Sequence, residues 1–211
     1  MPTSLRRGKM LAAGLITAAL VTTALPATAQ AQTQIVGYQC LGYTPVGPIT
    51  GTVYQDISDV TAPATVAPHG TMTIQITPAP NRIPPEINGR PVEHVRGIAW
   101  KIRLPSNANY VSTILSGGSG TGPVNVSKLG NTLWFTIDGP IAGGTYFQLP
   151  TISITLQARR FGTIRLRLGN DSVFAPDLTF IGRVQGSTVT ADVPTACNAR
   201  PSVTLSTTQI V

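Results

Sequence analysis

Thr71-Met72-Thr73-Ile74-Gln75-Ile76-Thr77 decides the fold class. Successive side chains of an extended chain point to opposite faces, so Met72, Ile74 and Ile76 share one side, and Thr71, Thr73 and Gln75 the other. That is a strand with one packed face and one wet face. Ile164, Leu166 and Leu168 alternate in the same way with Arg165 and Arg167. Outward from these two stretches the period of two recurs between turn residues, and no window of a dozen residues carries helical spacing. The pattern predicts strands over residues 35–41, 49–55, 71–77, 97–104, 110–115, 124–129, 132–138, 146–156, 163–168, 178–183, 187–193 and 203–211. Turns are marked by Pro68-His69-Gly70, Gly130-Asn131, Gly139-Pro140, Gly143-Gly144 and Gly169-Asn170. A dozen short strands with frequent turns imply an all-β sandwich or barrel.

Residues 1–31 read as an export signal: Arg6, Arg7 and Lys9 supply charge, residues 10–25 an apolar run, and residues 26–31 small side chains. Two A-x-A cleavage sites compete, ending at Ala29 and Ala31. The apolar run is broken by Thr17, Thr22 and Thr23 and falls short of the ~20 residues that span a bilayer, so no integral membrane segment is expected after cleavage. The remaining 32–211 is expected to form a single domain, secreted and either extracellular or associated with the cell wall.

The chain has two cysteines, Cys40 and Cys197, and an oxidising compartment would join them. Neither lies in a C-x-x-C pair or close to a histidine or lysine, which argues for a structural bond over a reactive thiol. Such a bond ties together the terminal regions, which favours the sandwich over the barrel. The Pro-rich stretch 77–91 has too little chain before it to be a linker between cores, and it reads as a long loop within one domain.

Twelve basic side chains against eight acidic ones remain beyond the leader, and charged residues make up only 11% of the chain. Nucleic-acid binding needs a denser basic patch. His69 and His94 are the two histidines, which excludes a three-histidine metal site. His94 could join a spatially assembled hydrolase triad, or both histidines could simply sit in turns. The glycine-rich run 116–123 matches neither a nucleophile elbow nor a phosphate loop, and reads as a flexible connection. Asp56 and Asp59 are the carboxylates closest in sequence, and Asp171 with Asp177 is a sparse calcium candidate. No cluster reaches a catalytic, metal or cofactor signature.

Two surface features remain. Lys101 and Arg103 alternate with Trp100, Ile102 and Leu104, as Arg165 and Arg167 do with their aliphatic neighbours. If these strands lie side by side, with Arg159 and Arg160 nearby, they make a positive stripe suited to an anionic cell-surface polymer or lipid headgroup. The alternative is a set of solubilising residues on a wet sheet face. Trp134 shares a face with Thr132 and Thr136, opposite Leu133, Phe135 and Ile137. There it is either a platform for a sugar ring or envelope protein, or an indole covered by a loop.

The leader, Val36-Gly37-Tyr38-Gln39-Cys40, the approach Ala62-Pro63-Ala64-Thr65-Val66-Ala67-Pro68-His69-Gly70 to a strand, and Val193-Pro194-Thr195-Ala196-Cys197 together resemble secreted actinobacterial proteins of uncharacterised function with immunoglobulin-like β-sandwich domains. The resemblance implies an elaborated sandwich of that type and transfers no catalytic residue. Three functional readings follow: a non-enzymatic envelope or extracellular binding module, a hydrolase assembled around His94, and a carrier of an apolar ligand between the sheets.

Overall fold

The computed structural model describes residues 33–169, 175–186 and 189–211. The export signal, Asp171 and the start of the strand expected from Ser187 lie outside the described residues. In chain order the strands are β1 (Gln34–Thr44), β2 (Gly47–Thr61), β3 (Thr65–Val66), β4 (Thr71–Pro78), β5 (Asn81–Arg82) and β6 (Glu86–Ile87). There follow β7 (Arg90–Arg103), β8 (Ala108–Ser116), β9 (Val124–Leu129), β10 (Thr132–Ile137), β11 (Ile141–Ala142) and β12 (Tyr146–Phe147). The last are β13 (Thr151–Ala158), β14 (Gly162–Leu168), β15 (Leu178–Gln185), β16 (Thr190–Ala199) and β17 (Val203–Ile210). No helix occurs among the described residues.

Hydrogen bonding runs along β3-β17-β14-β7-β15-β16-β1-β2-β4-β13-β8, with β10 and then β9 added on the other side of β7. β7 is the corner. Its Trp100 pairs with Leu178 of β15, and three residues later Arg103 pairs with Arg167 of β14, so one strand passes from one layer to the other. The layers then face each other across one apolar cluster. Ile74 and Ile76 (β4), Ile152, Ile154 and Leu156 (β13), Ile102 (β7), Leu133 (β10), Ile164 and Leu166 (β14) and Leu205 (β17) all belong to it, each at most 1% exposed. The result is an all-β sandwich. Each fully buried aliphatic side chain contributes about 1.5–3 kcal/mol relative to exposure, and it is the alternation read at Thr71–Pro78 that delivers them inward.

The disulfide joins Cys40 of β1 directly to Cys197 of β16, its register partner, with Cα atoms 4.0 Å apart. Cys197 lies inside a strand, where the sequence pattern places a gap between 193 and 203. The bond therefore staples two paired strands in addition to closing a long loop.

Three stretches depart from the sequence reading. Residues 77–91 are not an unpaired loop. β5 pairs with β12, β6 folds back on the start of β7, Ile83 is buried, and the Ile83 and Val92 amides donate to the carbonyls of Thr145 and Pro85. Ala79 and Ile83, each next to a proline, keep their amides paired, so breaker residues do not imply an unpaired chain. Ile83 joins Val92, Val95, Ile98, Ile137 and Ile141 in a second, smaller apolar cluster. The second departure is Gly97, which looks like a strand start and is instead a bulge within β7. At φ 59° it takes a left-handed conformation, while two steps on β15, Thr179 to Ile181, face three on β7, Ala99 to Arg96. The expected strand 146–156 is also divided, into β12 and β13, around Leu149-Pro150.

Candidate anion-binding face

β7, β10 and β14 put their apolar residues inward. Trp100, Ile102, Leu133, Phe135, Ile164, Leu166 and Leu168 are all buried, which forces the alternating residues onto the outer face. Register then sets neighbours. Trp134 stands opposite Lys101, and Thr132 opposite Arg103. On the other side of β7, Arg103 stands opposite Arg167, and Arg165 follows two positions along β14. Lys101, Arg103, Trp134, Arg165 and Arg167 therefore share one outer face.

Their environments differ. The Lys101 ammonium lies 4.0 Å from the centroid of the Trp134 ring, a cation–π contact of about 0.5–1 kcal/mol at an exposed site. Partial burial pushes the Lys101 pKa below its ordinary value, and the Asp177 carboxylate pulls it back up. Trp134 is half-buried, and a side chain of the neighbouring strand covers one face of its ring; neither an open platform nor a loop cover describes it fully. Arg103, Arg165 and Arg167 are exposed, and none makes an ion pair with a described carboxylate. Arg103 and Arg167 are like charges directly across a strand pair, an arrangement that costs stability unless an anion sits between them. Hydroxyl residues complete the surroundings: Ser127 is opposite Trp134, Thr204 opposite Arg167 and Thr207 opposite Arg165. Arg159 and Arg160 are exposed in the turn between β13 and β14.

The other candidates stay apart. His94 is in β7, opposite Ala142 and Arg183, and its ring makes no hydrogen bond to a described residue. His69 is in the turn the sequence marks, at φ 60°. Asp56 and Asp59 lie on β2, Asp56 exposed and opposite Ile35, Asp59 half-buried and opposite Thr77. The Asp177 carboxylate accepts the Ala199 amide. The glycine-rich run is pinned where a free connection is expected: Ser119 and Gln148 exchange both backbone hydrogen bonds, and the run lines a surface cleft of about 280 Å³ with Pro150. No group of three or more His, Cys, Asp or Glu able to hold a metal is present among the described residues.

Two clusters were not legible in the sequence. On the outer face of β7, β15 and β16, Asp192 bridges Arg96 at 2.7 Å and Arg183 at 3.2 Å, and Arg183 also holds Glu93 at 3.1 Å. The Arg96 hydrogen bond, aided by Arg183, keeps the Asp192 carboxyl below the usual carboxylate range. Inside, the Trp100 indole N–H donates to the Tyr38 hydroxyl at 2.9 Å, which in turn donates to Gln55 Oε1. Burial pushes the Tyr38 phenol far up. Only the register of distant strands brings these groups together; Asp192, Arg183 and Arg96 give no local signal.

No helix among the described residues is long and apolar enough to cross a membrane. No protein-family model matches the chain, and no curated protein matches it. Among solved structures it is similar to the crystal structure of a "Putative membrane anchored protein" from Corynebacterium diphtheriae, with a TM-score of 0.52 and 15% identity. The match covers 85% of this chain and 38% of that one, so the chain spans well under half the length of its neighbour. At this identity what the two share is the sandwich fold.

Proposed function

We propose that this chain is an exported, non-enzymatic binding module of the cell envelope, related to secreted actinobacterial sandwich proteins, whose β14-β7-β10 face holds an anionic polymer. The observation that carries the reading is the unneutralised trio Arg103, Arg165 and Arg167, two of them directly opposite each other on a hydroxyl-lined face. A row of phosphates or carboxylates would relieve that repulsion, and guanidinium forks suit both groups. Trp134, backed by Lys101, offers its remaining ring face to a sugar at the end of the row. The Cys40–Cys197 bond fits an oxidising location outside the cytoplasm. The fold shared with a Corynebacterium protein named for a membrane anchor adds support for an envelope setting.

The test is binding to purified cell wall across a salt series. Wild-type binding weakens as salt rises, and Arg165→Ala with Arg167→Ala weakens it by about tenfold at low salt. Indifference to both removes the proposal.

A further inference from the structure

The first half of β2 has one partner. Its residues 47–55 pair with β1 throughout, whereas β4 takes its second edge only from Ile57, and the Ala79 amide reaches Asp56 just before that. Among the described residues this leaves a free edge of nine residues, 47–55, with Gly51 at its midpoint. Native edges of that length usually carry a charge, a proline or a bulge that blocks further pairing; here the one such residue, Pro48, sits at the far end of the edge, next to its first residue. This one carries no charge at all: the sequence has no Asp, Glu, Lys or Arg from Gln34 through Gln55. Its exposed side chains are apolar or hydroxylic, with Ile49 37%, Val53 36% and Tyr54 65% exposed.

The sequence along the edge is mirrored about the same residue. Thr50 and Thr52 flank Gly51, then Ile49 and Val53, both β-branched; the mirror ends there, since Pro48 and Tyr54 differ. A mirrored strand is what an isologous two-fold contact requires, since residue i of one copy must suit residue j of the other, and j must suit i. We infer that two copies of this chain pair antiparallel along β2, with Gly51 on the two-fold axis. Ile49 then faces Val53 of the second copy twice over, on the side where Gln55 and Ile57 are buried in each monomer. Thr50 faces Thr52 on the opposite side, and Tyr54, whose ring lies over Gly37, faces Pro48. Pairs of β-branched residues and of threonines are the favourable cross-strand combinations. The open space around Gly51, where an added Cβ would meet nothing within 4 Å, lets the two backbones approach at the axis. An unrelated strand would gain nothing from the mirror symmetry, and the coincidence of its centre with the midpoint of the free edge singles out a second copy.

The register makes a charge test possible. Thr50 and Thr52 are both exposed, so substitution leaves the monomer's packing alone, which circular dichroism checks. Sedimentation equilibrium of the disulfide-intact chain is expected to show a reversible dimer. Thr50→Lys with Thr52→Lys sets like charges opposite each other twice and weakens the dimer by about tenfold or more. Thr50→Lys with Thr52→Glu sets opposite charges in the same places and retains it. A wild type that stays monomeric through the millimolar range overturns the inference, and the free edge then belongs to a different partner. A dimer insensitive to either variant, or equally weakened by both, overturns it as well.

Discussion

The Lys101 ammonium rests on the Trp134 ring, 4.0 Å from its centroid, across the β7–β10 pair. This places a cation and an indole in one unit at the end of the basic row. Lys101→Ala is therefore expected to lower stability by about 0.5–1 kcal/mol and to open the covered ring face to solvent. Collisional quenching of tryptophan fluorescence reads the second effect cleanly, because Trp100, the other tryptophan, is buried at 2% exposure. Unchanged quenching would mean the contact does not persist in solution.

Arg103 and Arg167 oppose each other without a described counter-charge. Replacing Arg167 with threonine, the residue type already present along this face, should raise the unfolding free energy by up to about 1 kcal/mol while reducing affinity for an anionic polymer. Denaturant titration and binding must move in opposite directions. A variant less stable than wild type contradicts the assignment of this pair to ligand binding.

Tyr38 keeps its proton in the folded state far above the pH at which a free phenol loses it, because burial disfavours the phenolate. Above a pH of about 10 the unfolded chain binds fewer protons than the folded one, so stability is full below that value and falls as pH rises. Absorbance titration should show one phenol ionising only with unfolding, and Tyr38→Phe should abolish that step. The same variant leaves the Trp100 N–H without its acceptor, at a cost of about 1–3 kcal/mol.

Cys40 and Cys197 are 157 residues apart in sequence. Chain-entropy arguments give such a closure about 5 kcal/mol at most. Cys40→Ala with Cys197→Ala should lower the denaturation midpoint accordingly, and the wild-type chain should match the variant once reduced. A midpoint that does not move would mean that β1 and β16 are held by pairing alone.

Much of the fold is legible in the sequence because alternation is a local property. Each expected stretch overlaps a strand where described, although 146–156 is divided and 97–104 is the second half of β7; Val124–Leu129 is reproduced residue for residue. What is lost is non-local. Gly97 reads as a break because its left-handed conformation is compatible with either a turn or a bulge, and only the register against β15 decides. Asn81 and Arg82 look like loop residues until Tyr146 and Phe147 supply the partner strand. In the sequence the basic face is visible only as alternation in two separate strands. That Arg103 meets Arg167 depends on β7 changing layers after Trp100, which nothing within either strand encodes.

An anion site on the β14-β7-β10 face requires its exposed arginines. The most direct measurement compares binding isotherms on purified cell-wall polymer at low salt for Arg165→Ala with Arg167→Ala against a charge-matched control, Arg82→Ala with Arg90→Ala, in the segment 77–91. Binding about tenfold weaker for the first pair and near wild type for the control is expected. Equal losses in both would contradict it, showing that net charge and not this face carries the interaction.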